Sequence, residues 1–154
     1  MIILNLKTWK IFAFSLAFLI TSCAAFKPEK TFSKNGLTVT FRSLNALDDI
    51  QSIKFLYPII LSEKQVLNHL LSLWHQRIVS PGKPKPVFSL DEAAKLSSLF
   101  STALKKVAPT KFLNFQFQSS KGLIEGQVFA TAKKLHWRFL KINNEDFSND
   151  PLRI

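Results

Sequence analysis

Cys23 is the one cysteine of the 154-residue chain, so no disulfide can form within it and no cysteine cluster can hold a metal. Four glycines leave no Gly-rich loop to cradle a phosphate, and no G-x-S-x-G, H-E-x-x-H, Walker or dinucleotide signature occurs. Acids are few and late. Ten Asp and Glu stand against 21 Lys and Arg, and the first of them is Glu29. No apolar run is long enough for a membrane span. Ile11–Ile20, ten residues in which only Ser15 is polar, would extend about 15 Å as a helix against a hydrocarbon core of about 30 Å. The histidines are His69, His75 and His136, and the first two are six apart, not at the i, i+4 spacing of a helical metal pair. The sequence therefore implies no cofactor and no metal. The carboxylate pairs Asp48-Asp49 and Asp91-Glu92 are adjacent in sequence. Adjacent side chains diverge on a strand or helix, so turn and cap roles suit these pairs better than acid–base work.

What the chain does contain is a clear alternation of element types. Leu37, Val39 and Phe41 alternate with Thr38, Thr40 and Arg42 in a half-buried strand over 36–44. Asn45–Asp49 reads as a turn and Ser52–Tyr57 as a weaker strand. Ser62 and Gln65 have capping-box spacing, and Val66, Leu67, Leu70, Leu71 and Trp74 follow as one apolar helical face, ending between Leu73 and Arg77. Trp74 on that face is expected in the core; Leu73–Val79 could instead turn extended. Three prolines make Ser80–Pro86 a loop. A second helix starts at Ser89, boxed by Glu92, carries Ala93, Leu96, Phe100, Ala103, Leu104 and Val107 as its stripe, and stops before Pro109. Leu113, Phe115 and Phe117 then open a three-stranded antiparallel meander, with Leu123–Thr131 in the middle and Lys134–Ile142 last. Two helices packed on a mostly antiparallel sheet, with a C-terminal three-stranded meander, give an α+β class.

The N-terminus has a different character. Lys7 and Lys10 precede the apolar run, and Ile20-Thr21-Ser22-Cys23 follows it. A basic start, a short apolar segment and small residues before the cleavage point are the parts of a secretory signal. With one cysteine closing the motif, the segment resembles the signal peptide and lipobox of a bacterial lipoprotein precursor. The resemblance covers about 23 of the 154 residues. It implies cleavage between Ser22 and Cys23, diacylglyceryl transfer to the Cys23 thiol and acylation (palmitate) of the new amino group. Residues 1–22 are then signal peptide, 23–35 a lipidated tether, 36–142 a single α+β domain and 143–154 a polar tail that frays. Ala24, where Asp would retain an enterobacterial lipoprotein at the inner membrane, points to the outer membrane, facing the periplasm.

Beyond residue 22 lie 19 Lys and Arg and ten Asp and Glu, a net charge of about +9. In an extracytoplasmic compartment such a domain meets anionic lipid, glycan or another envelope protein, and not nucleic acid. The candidate anion-binding residues are Lys134, His136 and Arg138, which alternate along the last strand as a cationic stripe, and Lys83 and Lys85 of the proline-rich loop, which could extend it. The same row also serves as a solvated face that discourages edge pairing. The overall reading is a membrane-held, non-enzymatic interaction or structural module. The alternatives are an anionic lipid or glycan binder through the basic strand face, and an envelope hydrolase built on His69, His75, His136 and carboxylates. Phe26 and Phe32, within the tether, suit contact with a membrane interface or with the domain.

Overall fold

The computed structural model describes residues 29–47, 55–76, 82–131 and 134–148. The signal, Cys23, Phe26 and the carboxylates Asp48 and Asp49 lie outside them. Strands β1 (Thr31–Lys34), β2 (Leu37–Ser43), β5 (Lys111–Ser119), β6 (Gly122–Ala130), β7 (Leu135–Ile142) and β8 (Glu145–Asp146) form one antiparallel sheet in the order β1-β2-β5-β6-β7-β8. Helices α1 (Glu63–Leu71) and α2 (Leu90–Lys105) occupy the connection between β2 and β5. A small ribbon pairs β3 (Trp74–His75) with β4 (Lys85–Pro86). The α+β class is present, and the expected meander is found in part: β5, β6 and β7 are successive antiparallel neighbours, but the run continues into β8.

Both helices begin as their sequences demand. The Ser89 side chain accepts the Glu92 N–H at 3.3 Å, and the Glu92 carboxylate accepts the Ser89 N–H at 2.9 Å. Ser62 and Gln65 repeat the arrangement at 3.2 and 2.8 Å. Each box satisfies two backbone donors that a helix start otherwise leaves open. Ser89→Ala should therefore destabilise the domain by about 1 kcal/mol, read from the denaturation midpoint at unchanged m-value.

The stripe of α2 lands on the sheet. Leu96, Phe100 and Leu104 are fully buried with Val66 and Leu70 of α1 against Leu37, Val39, Leu113, Phe115, Ile124 and Val128. Phe100 meets Phe115 and Trp137 edge to face, each at 5.2 Å. The opposite side of the sheet carries a smaller cluster of Leu47, Phe112 and Phe129, with Leu44 and Phe55 against it. Phe55 joins by an isolated bridge to Thr131, and the one-turn 3-10 helix Leu44–Ala46 lies where a turn was expected.

Three expectations need correction. The segment 23–35 is not a plain tether throughout: Thr31–Lys34 is an edge strand, joined to β2 through Asn35 and Gly36 at φ 52° and 76°. Asn and Gly tolerate that left-handed backbone, which matches the twist of a two-residue hairpin. The polar tail does not fray from residue 143. Asn143 and Asn144, at φ 53° and 67°, turn the chain so that Glu145–Asp146 pairs with β7, and the Phe147 N–H donates to the Leu140 carbonyl at 2.8 Å. Finally, α1 ends at Leu71, where the Ser72 N–H closes on the carbonyls of Asn68, His69 and Leu70. Trp74 thereby leaves the apolar face, enters β3 and stands 59% exposed, so it is not a core residue.

Candidate functional site

The cationic stripe is not an exposed row. Lys134 is exposed, but the His136 ring stacks on Phe129 at 5.0 Å and 11°, and its Nε2 lies 3.2 Å from the Thr131 hydroxyl. Arg138 is only 8% exposed, beside its register partner Gln127 at 7%. The alternation along β7 does put these three on one face. That face is partly roofed by Phe55, Leu44 and Leu47, which the local sequence of β7 cannot reveal. Arg138 is thus largely withdrawn from the surface into the packing of the sheet.

Lys83 and Lys85 lie elsewhere. They line a groove of about 210 Å³ with His75, Gln76, Gly82, Asn143 and Glu145. One wall is the β3–β4 ribbon, where His75 pairs with Lys85, and the other elements are the β7–β8 turn and β8. The Gln76 amide donates to the Gly82 carbonyl at 2.8 Å and ties the two sides of the ribbon together. His75 sets its ring edge to face on Phe147 at 5.9 Å, which seats the ribbon on the main core. Lys134 precedes β7 and Asn143 follows it, so the groove and the exposed end of the stripe are separated by about 30 Å of extended chain. Lys83 and Lys85 therefore do not extend the stripe; they belong to a separate site.

Four of the lining residues are not site candidates on sequence grounds: Gln76 lies at the expected helix end, Gly82 in the proline-rich loop, and Asn143 and Glu145 in the polar tail. The usable signal was the Asn143-Asn144 pair directly after an apolar strand, which marks a hairpin turn in the same way as Asn35-Gly36.

The three histidines do not converge. His69 is on α1, His75 packs on the helix side of the sheet through Phe147, and His136 stacks on the opposite side. Among the described residues no three His, Cys, Asp or Glu side chains group as metal ligands, and no helix is long and apolar enough to cross a membrane. Tyr57 is the other titratable group with a distinct environment. Burial pushes its hydroxyl up to about 12, and among the described residues it has no hydrogen-bond partner. It lies 6.2 Å from the Phe55 ring, in packing rather than in the groove.

No protein-family model, no curated protein and no solved structure matches this chain.

Proposed function

We propose that this chain is a lipid-anchored lipoprotein of a bacterial cell envelope, acylated at Cys23 and facing the periplasm from the outer membrane, with a non-enzymatic α+β interaction domain. The observation that carries the reading is Ile20-Thr21-Ser22-Cys23 placed directly after a short apolar run with basic flanks, at the chain's one cysteine. Acylation at the thiol and at the new amino group would give three chains. Each buried CH₂ contributes about 0.8 kcal/mol, so three chains hold a protein at a membrane where one does so only marginally. The first strand begins at Thr31, eight residues beyond Cys23. That length spans at most about 28 Å, which would keep the domain close to the bilayer.

The test is acylation itself. The wild-type chain should take up labelled palmitate and lose the mass of residues 1–22, whereas Cys23→Ala should take up no label and escape cleavage before position 23. Labelling that persists in C23A, or a wild-type mass equal to the unmodified chain, would refute the anchor.

A second reading, recognition of an anionic lipid or glycan, is favoured by one observation: Lys83 and Lys85 share a groove.

A further inference from the structure

We propose that the groove lined by Lys83, Lys85, Asn143 and Gln76 is a binding site for a phosphate ester, such as a glycerophosphate group. The proposal rests on the second reading above and gives it a site and a ligand class.

The local sequence builds the cationic wall. In Lys83-Pro84-Lys85-Pro86 each lysine precedes a proline. Clash with the proline ring removes the helical region for the preceding residue, so both lysines are held extended. Two residues apart, their Cα atoms are separated by about 7 Å, a span from which two flexible ammonium groups can reach one anion. The prolines, the His75–Lys85 pairing and the Gln76–Gly82 hydrogen bond fix this backbone before any ligand arrives. Little backbone ordering is left to oppose binding, and the lysine side chains alone remain to be ordered.

Charge chemistry selects the ligand. Among the described residues the cations that line the groove are Lys83 and Lys85. Each ammonium acts as a compact point charge, and a phosphate group spreads its charge over oxygens that both lysines can reach at once. The volume of about 210 Å³ is many times the roughly 10–15 Å³ that one water needs. Such a space admits a phosphate together with the alcohol esterified to it. Glu145 brings one carboxylate into the same groove. It disfavours a polyanion and confines a single phosphate to the lysine side. It also supplies a signed test, because removing its charge should strengthen binding.

The chemistry has two sources, a soluble phosphate ester and a phospholipid headgroup. Purified full chain in neutral detergent, titrated by NMR or calorimetry, separates them with sn-glycerol 3-phosphate in one arm and dihexanoylphosphatidylglycerol in the other. Saturable binding is expected in at least one arm, and the ratio of the two affinities assigns the source. Lys83→Gln/Lys85→Gln should weaken it about 10-fold, Glu145→Gln should tighten it about 2-fold, and Lys134→Gln, outside the groove, should leave it unchanged. Raising the salt should weaken it further, since exposed ionic contacts are screened. No saturable binding in either arm, an equal loss in Lys134→Gln, or glucuronate binding as tightly as glycerol 3-phosphate would each overturn the proposal. The titration does not depend on acylation. An unlabelled Cys23 with phosphate binding intact removes the membrane anchor alone, and a labelled Cys23 without binding removes the phosphate site alone.

Discussion

Phe100→Ala is expected to destabilise the domain by about 3–5 kcal/mol, enough to leave a large fraction unfolded if its total stability falls in the usual range of about 5–15 kcal/mol. Phe100 is fully buried in the second half of α2. Its ring touches Phe115 at an interplanar angle of 86° and Trp137 at 72°, and those two rings are themselves 6.0 Å apart. Truncation removes the ring's transfer free energy, two edge-to-face contacts and the filling between α2 and the middle of the sheet. The cavity cannot close readily, because Phe115 and Trp137 are anchored on separate strands, β5 and β7. Phe32→Ala is the paired comparison. It removes the same side chain from β1, where it is 47% exposed, and should cost well under half as much. Urea midpoints of the two variants measure the difference. Equal costs would mean that α2 does not pack on the sheet through Phe100.

The parts of the fold written in local chemistry were legible. Both helix starts followed from a serine with Gln or Glu three residues on, because a capping box is satisfied within its own turn. The stripe Ala93, Leu96, Phe100, Leu104 was legible because the face that a helix sets against a sheet recurs at three- and four-residue spacing. The edge strand β1 was harder for a physical reason. All four of its residues are exposed, so no burial alternation marks it, and its hydrogen bonds run only to β2. The Asn35-Gly36 turn was the available local sign. The end of α1 was obscured in the opposite sense. Trp74 keeps the helical phase of Val66 and Leu70, but its backbone pairs with Pro86, a partner that lies beyond the intervening loop. Periodicity records which positions could share a face. It does not record a competing long-range pairing.

The candidate site divides along the same line. Lys83 and Lys85 stood out in the sequence through charge and the flanking prolines. Their surroundings did not, since Asn143 and Glu145 arrive from a turn some 60 positions away. The stripe along β7 shows the converse. Alternation assigned Lys134, His136 and Arg138 to one face, but could not say that this face is partly covered. A sheet with one face against helices usually leaves the other to solvent. Here Phe112 and Phe129 interrupt the polar rows of the outer face and recruit Leu47 and Phe55 over them. Two aromatic residues at outward positions of adjacent strands were the sign that this face is not wholly wet.

Gly126→Ala should destabilise the domain by about 2–3 kcal/mol, although a glycine-to-alanine change in a compatible backbone ordinarily stabilises by about 0.4–1 kcal/mol through the unfolded chain. Gly126 sits on the core face of β6 between Ile124 and Val128, opposite Phe115 on one side and Phe139 on the other. A Cβ there would come 2.8 Å from the Arg138 carbonyl oxygen and 2.9 Å from two ring atoms of Phe115. The oxygen is main chain and cannot step aside without opening the β6–β7 ladder at its bulge. The ring cannot retreat either, because Phe100, Trp137 and Phe139 hold it from three directions. Glycine lets the Phe115 ring lie over the bare backbone, and that position aligns the aromatic centre of the core. Gly82→Ala supplies the control of opposite sign, since nothing lies within 4 Å of a Cβ at that position. It should be neutral or slightly stabilising. The double variant Gly126→Ala/Phe115→Leu identifies the obstacle. If the ring is the main clash, the two changes together should cost clearly less than the sum of the singles. Strict additivity would place the strain on the Arg138 carbonyl, and a stabilising Gly126→Ala would show that β6 does not run beneath Phe115 at all.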